Sequence, residues 1–287
     1  MKHFKTKRML FFLLSSFITF SIIANTHSPQ LGYSALDLNT QTFRNYNATK
    51  RFPMCSTAKF IVVAAMLHKS INNPKLLSKN IHYTINELKE SGYTPITKHA
   101  LKKGMTILQL AESAIIHSDN LAMNLLIKNL GGVTYINRFA RSIGDHTFRL
   151  DRIEPYLNSA KPSDQRDTTS PLAMRDDLQK ILLGDVLPNL QRQLLRNWMI
   201  ASETGKNRIQ AATPAHWLVG DKTGTGQYGT TNDIGIIWPP HCKPIILSIY
   251  YTNNKKSAKS NEKVIVNTAK SIIHEFSMSG SCIKNYQ

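Results

Sequence analysis

Hydrophobic and polar positions divide the chain after residue 28 into an alternating start, a helical middle and an alternating end. The segments GYSALDL and TFRNYN alternate around the turn-forming NTQ, which predicts a β-hairpin. The run IVVAAML, which follows PMCSTAKF, extends a segment whose length and apolar density favour a buried helix over a strand. Near the end, WLVGDKTG, NDIGIIW and PIILSIYY predict strands separated by Gly, Pro and Asn turns.

Residues 72–196 show mostly helical periodicity. Thr106 and Gln109 have the spacing of a capping box before ILQLAESAII, and Ser170 predicts an N-cap because a proline follows it. A last amphipathic helix is expected at about residues 262–278. One stretch, FRLDRIEPYLNSAKPSDQRDTTS, has little periodicity, and a loop of that length inside a compact domain is usually functional or disordered.

This order of elements predicts an α+β fold with an antiparallel sheet built from both ends of the chain and an inserted all-helical part. We expect one catalytic unit over residues 25–287. Its α/β sandwich covers about residues 28–71 and 197–287, and its all-α part covers about residues 72–196.

The first 24 residues have the pattern of a secretory signal. Four basic residues precede the apolar run from Met9 to Ile23, which is shorter than the ~20 residues that a membrane span needs. An uncleaved anchor is the alternative. Cleavage near Ala24 to Ser28 would place the mature protein in the periplasm or outside the cell, with no stable membrane association.

The 287-residue chain has a formal net charge of +18, which falls to +14 without the predicted signal. The lysines are scattered and often lie beside Asn, which favours a solvated basic surface over nucleic-acid binding. Three cysteines, Cys55, Cys242 and Cys282, leave at least one thiol unpaired, and a bridge between Cys242 and Cys282 is conceivable.

Ser56 and Lys59 could form a nucleophile and base pair. Three residues apart on a helix, they share one face, and a lysine amine there can activate a serine hydroxyl. The spacing alone is weak evidence, because S-x-x-K also occurs at Ser260 and Ser281. Only Ser56 is followed by an apolar helix that would bury its lysine.

Two further polar clusters stand out. Ser118-Asp119-Asn120 lies between apolar residues, and a helix N-cap explains one of the three polar side chains. Lys222-Thr223-Gly224 ends a predicted edge strand, where a strand-to-turn transition is the simpler interpretation.

Taken together and in this order, S-x-x-K, S-D-N and K-T-G are the motif set of class A β-lactamases and penicillin-binding proteins. The sequence resembles a class A serine β-lactamase over nearly the whole mature chain. The segment Glu154-Pro155-Tyr156-Leu157-Asn158 matches the family's E-P-x-L-N, which penicillin-binding proteins lack.

The resemblance implies a role for each matching residue. Glu154 and Asn158 would hold the water that hydrolyses the acyl-enzyme, the Glu154-Pro155 bond would be cis, and Arg152 with Asp167 would close the long loop. Ser56 would be the nucleophile, with Lys59 or Glu154 as its activating base. The remaining catalytic residues would be Ser118 and Lys222, and the substrate-binding residues would be Tyr93, Asn120, Arg208, Thr223, Gly224 and Thr225.

The resemblance also implies hydrolysis of penicillins and some cephalosporins, resistance to these antibiotics, and a monomer that needs no cofactor. No H-x-H-x-D or H-E-x-x-H arrangement is present to suggest a zinc hydrolase.

Cys55 matches a cysteine of carbapenem-hydrolysing members, but Gly226 stands where their second cysteine would be. A D-alanyl-D-alanine carboxypeptidase or penicillin-binding protein, and a β-lactam sensor domain, are the alternatives.

Overall fold

The computed structural model describes residues 1, 3 and 28–283. The predicted signal sequence, residues 1–24, therefore falls almost wholly outside the described residues. Within the part of the chain described, no helix is both long and apolar enough to cross a membrane.

Nine strands are assigned in the described residues, several of them only two residues long. In chain order they are β1 Gln30–Asp37, β2 Thr42–Tyr46, β3 Phe52–Pro53, β4 Asn80–Ile81, β5 Met105–Thr106, β6 Thr168–Thr169, β7 Leu218–Thr225, β8 Thr231–Trp238 and β9 Ile245–Thr252. The α-helices are α1 Ala58–Ile71, α2 Ile85–Ser91, α3 Ile107–Ile116, α4 Asn120–Leu130, α5 Val133–Ser142, α6 Pro171–Leu182, α7 Asn189–Ile200 and α8 Glu262–Met278.

The main sheet has five antiparallel strands in the order β2-β1-β9-β8-β7. Strands from the start of the chain pair with strands from its end, which confirms the predicted mixed α and antiparallel β fold. The strand β7 lies at one edge, so the K-T-G segment has an open edge beside it, as predicted.

Hydrophobic side chains cover both faces of this sheet. On one face, strand residues such as Ile246 and Tyr250 share a core with α1, α3, α4 and α6. On the other face, Leu247 and Ile249 pack with α8, whose buried residues include Ile272 and Phe276. The sheet is thus held between α8 and a larger helical layer.

Local sequence signals correctly predicted where two of the helices begin. Thr106 and Gln109 form the expected capping box, and the Ser170 side chain accepts from the backbone N–H of Ala173 at the start of α6. The predicted PMCSTAKF helix begins differently, because Cys55–Thr57 forms a 3-10 turn and α1 starts only at Ala58.

The proposed division into an α/β part and an all-α part stays a prediction. The helix α7 crosses the expected border between residues 196 and 197. The helix α1, assigned to the α/β part, shares one hydrophobic core with α3 and α4. The helical part and the sheet are therefore joined through a common interior.

Candidate active site

Ser56 lies in the 3-10 turn before α1, and Lys59 lies in the first turn of that helix. The Lys59 Nζ donates to Ser56 Oγ at 2.6 Å, and the Lys59 side chain is completely buried. The apolar residues that follow in α1 bury this helix, as the sequence predicted. The buried amine is therefore paired with a hydroxyl that is itself partly exposed.

Lys59 also contacts residues from two other segments. Its Nζ lies 2.5 Å from Glu154 Oε1, 2.9 Å from Asn120 Oδ1 and 3.5 Å from Ser118 Oγ. The structure thus brings together groups that the sequence placed in three separate motifs.

The Glu154 carboxylate joins the long loop to the Ser56 turn. Ser56 Oγ donates to Glu154 Oε1 at 3.1 Å, and Asn158 Nδ2 donates to Glu154 Oε2 at 2.5 Å. The Glu154-Pro155 peptide bond is cis, as the resemblance implied. Arg152 Nε lies 2.5 Å from Asp167 Oδ2, so the two ends of the loop are held together.

Asn124 holds the backbone of Glu154, and the sequence interpretation missed it. Its Nδ2 donates to the Glu154 carbonyl and its Oδ1 accepts the Glu154 N–H, each at 2.9 Å. Asn124 lies one helical turn after Asn120 on α4, so its polar side chain in an otherwise apolar run was the available signal.

The three residues of the Ser118-Asp119-Asn120 cluster have different roles: one caps a helix and two contact Lys59. Asp119 is the N-cap of α4 and also accepts from the backbone N–H of Thr97. Ser118 has a φ of +59°, a left-handed conformation that is uncommon outside glycine. The simple N-cap interpretation is therefore correct for Asp119, whereas Ser118 and Asn120 both contact Lys59.

Lys222 approaches Ser118 from the sheet side. Its Nζ donates to Ser118 Oγ at 3.0 Å and to the Thr223 carbonyl at 2.9 Å, and its side chain is fully buried. Burial lowers the pKa of Lys222 well below its ordinary value, and the nearby Lys59 lowers it further, whereas Asp221 and Asp233 oppose the shift.

Asp221 and Asp233 are buried acids next to this lysine. Burial raises the pKa of Asp221 to about 6, although hydrogen bonds from Ser202 and Gln210 oppose that shift. Burial also raises the pKa of Asp233 well above its ordinary value, and the Asp221 charge adds to the effect.

Arg208 provides a buried positive charge at the end of β7. Its Nη2 donates to Thr225 Oγ1 at 2.7 Å, and its Nη1 donates to the carbonyls of Gly224 and Asn232 at 3.0 and 2.7 Å. Glu262 Oε1 lies 3.5 Å from its Nε. The guanidinium is thus fixed beside the Thr225 hydroxyl.

These groups surround a cleft of about 300 Å³. It is lined by Ser56, Tyr93, Ser118, Asn120, Asn158, Thr204, Arg208, Thr223 and Thr225. Lys59, Glu154 and Lys222 lie behind this lining and reach it through Ser56 and Ser118. Tyr93 is 59% exposed, consistent with a place at the rim.

Thr204 was not predicted, although it lines the cleft and its hydroxyl lies 2.7 Å from Thr223 Oγ1. Gly224 was predicted to bind substrate but does not line the cleft. A Cβ at Gly224 would lie 2.6 Å from the Met54 carbonyl oxygen, so this glycine allows the Ser56 turn to approach β7.

Cys55 is a free, buried thiol directly before Ser56. Burial raises its pKa, and the Glu154 charge raises it further, so the reactive thiolate is disfavoured. A Cβ at Gly226 would lie 2.5 Å from Cys55 Sγ, which shows how closely Gly226 faces it. The other two cysteines, Cys242 and Cys282, form a disulfide.

A larger cavity of about 1040 Å³ lies between α2, α4 and the loop that carries Glu154. Ser56, Lys59, Ser118 and Lys222 do not line it, so we assign the chemistry to the smaller cleft. Among the described residues, no group of three or more His, Cys, Asp or Glu side chains is placed to hold a metal ion.

Comparison with known proteins agrees with this arrangement. A family model described as the beta-lactamase enzyme family matches residues 16–276. A beta-lactamase from Proteus vulgaris is 45% identical over 248 residues, which cover 86% of this chain and 91% of that protein. Beta-lactamase OXY-1 from Klebsiella oxytoca is 45% identical over 244 residues, covering 84% and 82% of the two chains.

Solved structures show the same similarity. The crystal structure of a beta-lactamase from Desulfarculus baarsii DSM 2075 matches with a TM-score of 0.85 and 42% sequence identity. The match covers 87% of this chain and 92% of that one. A beta-lactamase from Burkholderia phymatum matches with a TM-score of 0.84 at 41% identity, covering 87% and 93%.

Proposed function

The chain belongs to the beta-lactamase enzyme family, as a class A member, and on that premise we propose that it opens the β-lactam ring through a covalent acyl-enzyme on Ser56. As a β-lactamase it is a hydrolase of the β-lactam amide bond. The observation that carries the proposal is the direct contact of Ser56 Oγ with both Lys59 Nζ, at 2.6 Å, and Glu154 Oε1, at 3.1 Å.

Acylation begins with attack of Ser56 Oγ on the lactam carbonyl carbon. The Oγ proton passes to the Lys59-Glu154 pair, whose members lie 2.5 Å apart and both contact Ser56 Oγ. If Lys59 is an ammonium the carboxylate accepts the proton, and if it is neutral the amine does. The backbone amides of Ser56 and Thr225 stabilise the oxyanion, where one donor is worth roughly 10²–10³ in rate.

Ser118 protonates the departing lactam nitrogen. When the C–N bond breaks, the nitrogen takes the Ser118 hydroxyl proton, and Lys222 or Lys59 replaces it. The distances support this relay, because Ser118 Oγ lies 3.0 Å from Lys222 Nζ and 3.5 Å from Lys59 Nζ. The product of this step is an ester of Ser56 with the ring opened.

Deacylation uses Glu154 as the general base. Glu154 removes a proton from water, the hydroxide attacks the ester carbonyl, and the C–Oγ bond breaks with the proton returned to Ser56. Asn158, whose Nδ2 donates to Glu154 Oε2 at 2.5 Å, orients the carboxylate for this step. Asn124 fixes the Glu154 backbone through two hydrogen bonds of 2.9 Å.

The substrate carboxylate binds at the K-T-G end of the cleft. Arg208 and Lys222 provide positive charge there, and the hydroxyls of Thr223 and Thr225 donate hydrogen bonds. At the other end of the cleft, Asn120 binds the side-chain amide of the substrate and Tyr93 borders that side chain. Gly224 allows the Ser56 turn to approach the strand closely and does not itself contact the substrate.

We further propose that the protein is exported and acts as a monomer on penicillins and some cephalosporins, thereby giving resistance. The basic, apolar start of the sequence supports export. The Cys242-Cys282 disulfide supports it independently, because disulfides persist mainly in oxidising compartments. N-terminal sequencing of protein from the periplasm or medium tests this part, and intact residues 1–24 on that protein would contradict it.

Two variants test the mechanism. Ser56→Ala should reduce turnover of a penicillin by roughly 10³-fold or more, because the nucleophile is gone. Glu154→Ala should leave the intact penicillin mass attached to Ser56, seen by mass spectrometry of the protein and its peptides. Glu90→Ala, which changes an exposed acid outside the cleft, serves as the control and should turn over normally.

Full-rate turnover by Glu154→Ala would contradict the assigned deacylation, and an adduct on another residue would contradict Ser56 as nucleophile. A hydrolysis panel of a penicillin, an oxyimino-cephalosporin and a carbapenem then defines the substrate range.

A further inference from the structure

We propose that Asn232 is a positioning residue that holds the Ser56 turn against the end of β7 and so sets the spacing of the two oxyanion-hole amides. The inference rests on the proposed function, because those amides belong to Ser56 and Thr225. Asn232 does not line the cleft, and it acts through the backbone on either side of it.

The Asn232 side chain links β8 to the residues just before the nucleophile. It is fully buried, and its Nδ2 donates to the carbonyl oxygens of Pro53 and Met54 at 2.8 and 3.1 Å. Its Oδ1 accepts the backbone N–H of Tyr251 at 3.3 Å. One amide side chain therefore ties the start of the Ser56 turn to two strands of the main sheet.

The neighbouring strand leaves room for this link. Gly224 lies directly opposite Asn232 in the β7-β8 register, so the two positions face the same side of the sheet. A Cβ at Gly224 would lie 2.6 Å from the Met54 carbonyl oxygen and 3.2 Å from the Thr57 nitrogen. The turn thus lies directly on the backbone of β7, and Asn232 provides the polar side chain that holds it there.

Arg208 fixes the other side of the same junction. Its Nη1 donates to the carbonyls of both Gly224 and Asn232, at 3.0 and 2.7 Å, and its Nη2 reaches Thr225 Oγ1 at 2.7 Å. The end of β7 is therefore fixed relative to the Asn232 backbone. The Asn232 side chain then connects this unit to the turn that carries the Ser56 amide.

The other hydrogen bonds of Met54 do not replace this connection. Its N–H donates to the Asp167 carbonyl in the loop, at 2.9 Å. Its carbonyl also accepts from Thr57 Oγ1 at 2.8 Å, but Thr57 belongs to the same turn. These contacts hold the turn to the loop and to itself. The Thr57 hydroxyl also lies 3.1 Å from the Tyr250 hydroxyl in β9, which is a second link to the sheet. Asn232 holds the turn to the sheet at a different place, through the Pro53 and Met54 carbonyls.

This arrangement predicts a defect in transition-state stabilisation when Asn232 is changed. Oxyanion donors act only when they lie within hydrogen-bond distance of the developing charge, so a small displacement weakens them. We expect kcat to fall roughly 10-fold, less than the ~10²–10³ that follows complete loss of one donor. KM should change less than kcat, because the carboxylate contacts are retained.

The test uses the full mature enzyme with Asn232→Leu, which keeps the size of the side chain and removes its hydrogen bonds, and Asn232→Ala, which avoids overpacking. Each is made alone for kinetics and together with Glu154→Ala for infrared spectroscopy of the penicillin ester. A weakened oxyanion hole should move the ester carbonyl band to higher wavenumber than in Glu154→Ala alone. Thr230→Val is the control, because Thr230 is buried and its hydroxyl bonds to Thr252 at 3.3 Å, away from the turn.

The outcomes separate this inference from the one it rests on. A shifted band together with reduced kcat in a folded variant supports the positioning role, and the control should match the unmodified enzyme in both. An adduct on Ser56 with an unshifted band overturns the positioning role alone. Failure of Glu154→Ala to accumulate any adduct overturns the proposed mechanism and this inference with it. If circular dichroism shows that both Asn232 variants are unfolded while the control folds, Asn232 is a stability residue and the positioning role is overturned.

Discussion

Lys59 Nζ and Glu154 Oε1 lie 2.5 Å apart with both side chains fully buried, although 95 residues separate them in sequence. The contact joins the first turn of α1 to the long loop between α5 and α6. It therefore connects the residue that pairs with Ser56, the proposed nucleophile, to the residue that we propose as the base for deacylation. Removing either partner of such a pair leaves the other charge without compensation.

We expect the two partners to be strongly coupled in stability. Lys59→Met and Glu154→Gln should each lower the free energy of unfolding by about 3 kcal/mol or more, as breaking a buried ion pair does. The double variant should lose less than the sum of the single losses, by about 1–3 kcal/mol. Urea unfolding of the four proteins measures this coupling, and strictly additive losses would show that the contact does not stabilise the fold.

The lowered pKa of Lys222 predicts the alkaline side of the pH profile. Its charged form donates to Ser118 and attracts the substrate carboxylate, so kcat/KM should fall as pH rises through a pKa well below the ordinary value. Arginine stays charged, and Lys222→Arg should move that decline to higher pH. Profiles of kcat/KM from about pH 6 to 10 check this.

Lys98→Arg changes an exposed lysine and serves as the control for Lys222→Arg. An alkaline limb of the pH profile that is identical in Lys222→Arg and the unmodified enzyme would assign the titration to another group.

The lowered pKa of Lys222 also has a consequence for stability, and its sign is known. The unfolded chain binds the Lys222 proton more tightly, so the contribution of this group to the free energy of unfolding rises with pH between the two pKa values.

Asn124 should matter for deacylation more than for acylation. Asn124→Leu removes both hydrogen bonds to the Glu154 backbone, so the carboxylate loses its fixed position for activating water. We expect the deacylation rate to fall roughly 10- to 100-fold while the acylation rate falls less, with acyl-enzyme accumulating in stopped-flow and mass spectrometry. Asn129→Leu changes an asparagine on the same helix that bonds to the Leu125 carbonyl, and it should not accumulate adduct.

A buried carboxyl pair away from the cleft predicts a pH-dependent stability. Burial raises the pKa of Asp177 well above its ordinary value, the facing Asp145 raises it further with a small addition from Asp176, and Lys180 opposes the shift. The folded state therefore binds this proton more tightly than the unfolded state. The stability contributed is present at low pH and is lost as pH rises through the folded-state pKa.

Asp177→Asn removes this titration. We expect the variant to gain stability relative to the unmodified enzyme as pH rises from about 5 to 8, by about 1.4 kcal/mol for each unit of pKa difference. Thermal unfolding at several pH values measures the difference in unfolding free energy between the variant and the unmodified enzyme. Asp185→Asn changes an exposed acid and is the matched control, so its stability difference from the unmodified enzyme should not vary with pH. If the difference for Asp177→Asn were also constant, the folded-state pKa of Asp177 would lie below this range.

The sequence predicted much of the fold because its signals are local. Capping by Thr106 and Ser170, the apolar density of α1 and the last helix depend on residues within a few positions of each other. The start of α1 was less well predicted, because the 3-10 turn at Cys55–Thr57 is shaped by contacts with β7 and β8 that no local pattern reveals.

The residues that we propose for catalysis were identified through motifs, and the residues that support them were missed. Thr204 and Asn232 carry ordinary polar side chains whose partners lie far away in sequence, so nothing in their own surroundings distinguishes them. Asn124 differs only in being a polar residue within an apolar run. Gly224 was given a binding role, whereas its contribution is the absence of a side chain above the Met54 carbonyl.

The sequence by itself determined the order of the elements, because that order follows from local periodicity. It also carries the S-x-x-K, S-D-N, E-P-x-L-N and K-T-G residues, and their resemblance to the motifs of class A β-lactamases indicated the class of enzyme. Only the tertiary structure decided that Lys59 contacts Glu154, that Cys242 pairs with Cys282 and that Lys222 and Asp177 have shifted pKa values. Those properties depend on distance and on exclusion of water, and both arise only when segments far apart in the chain pack together.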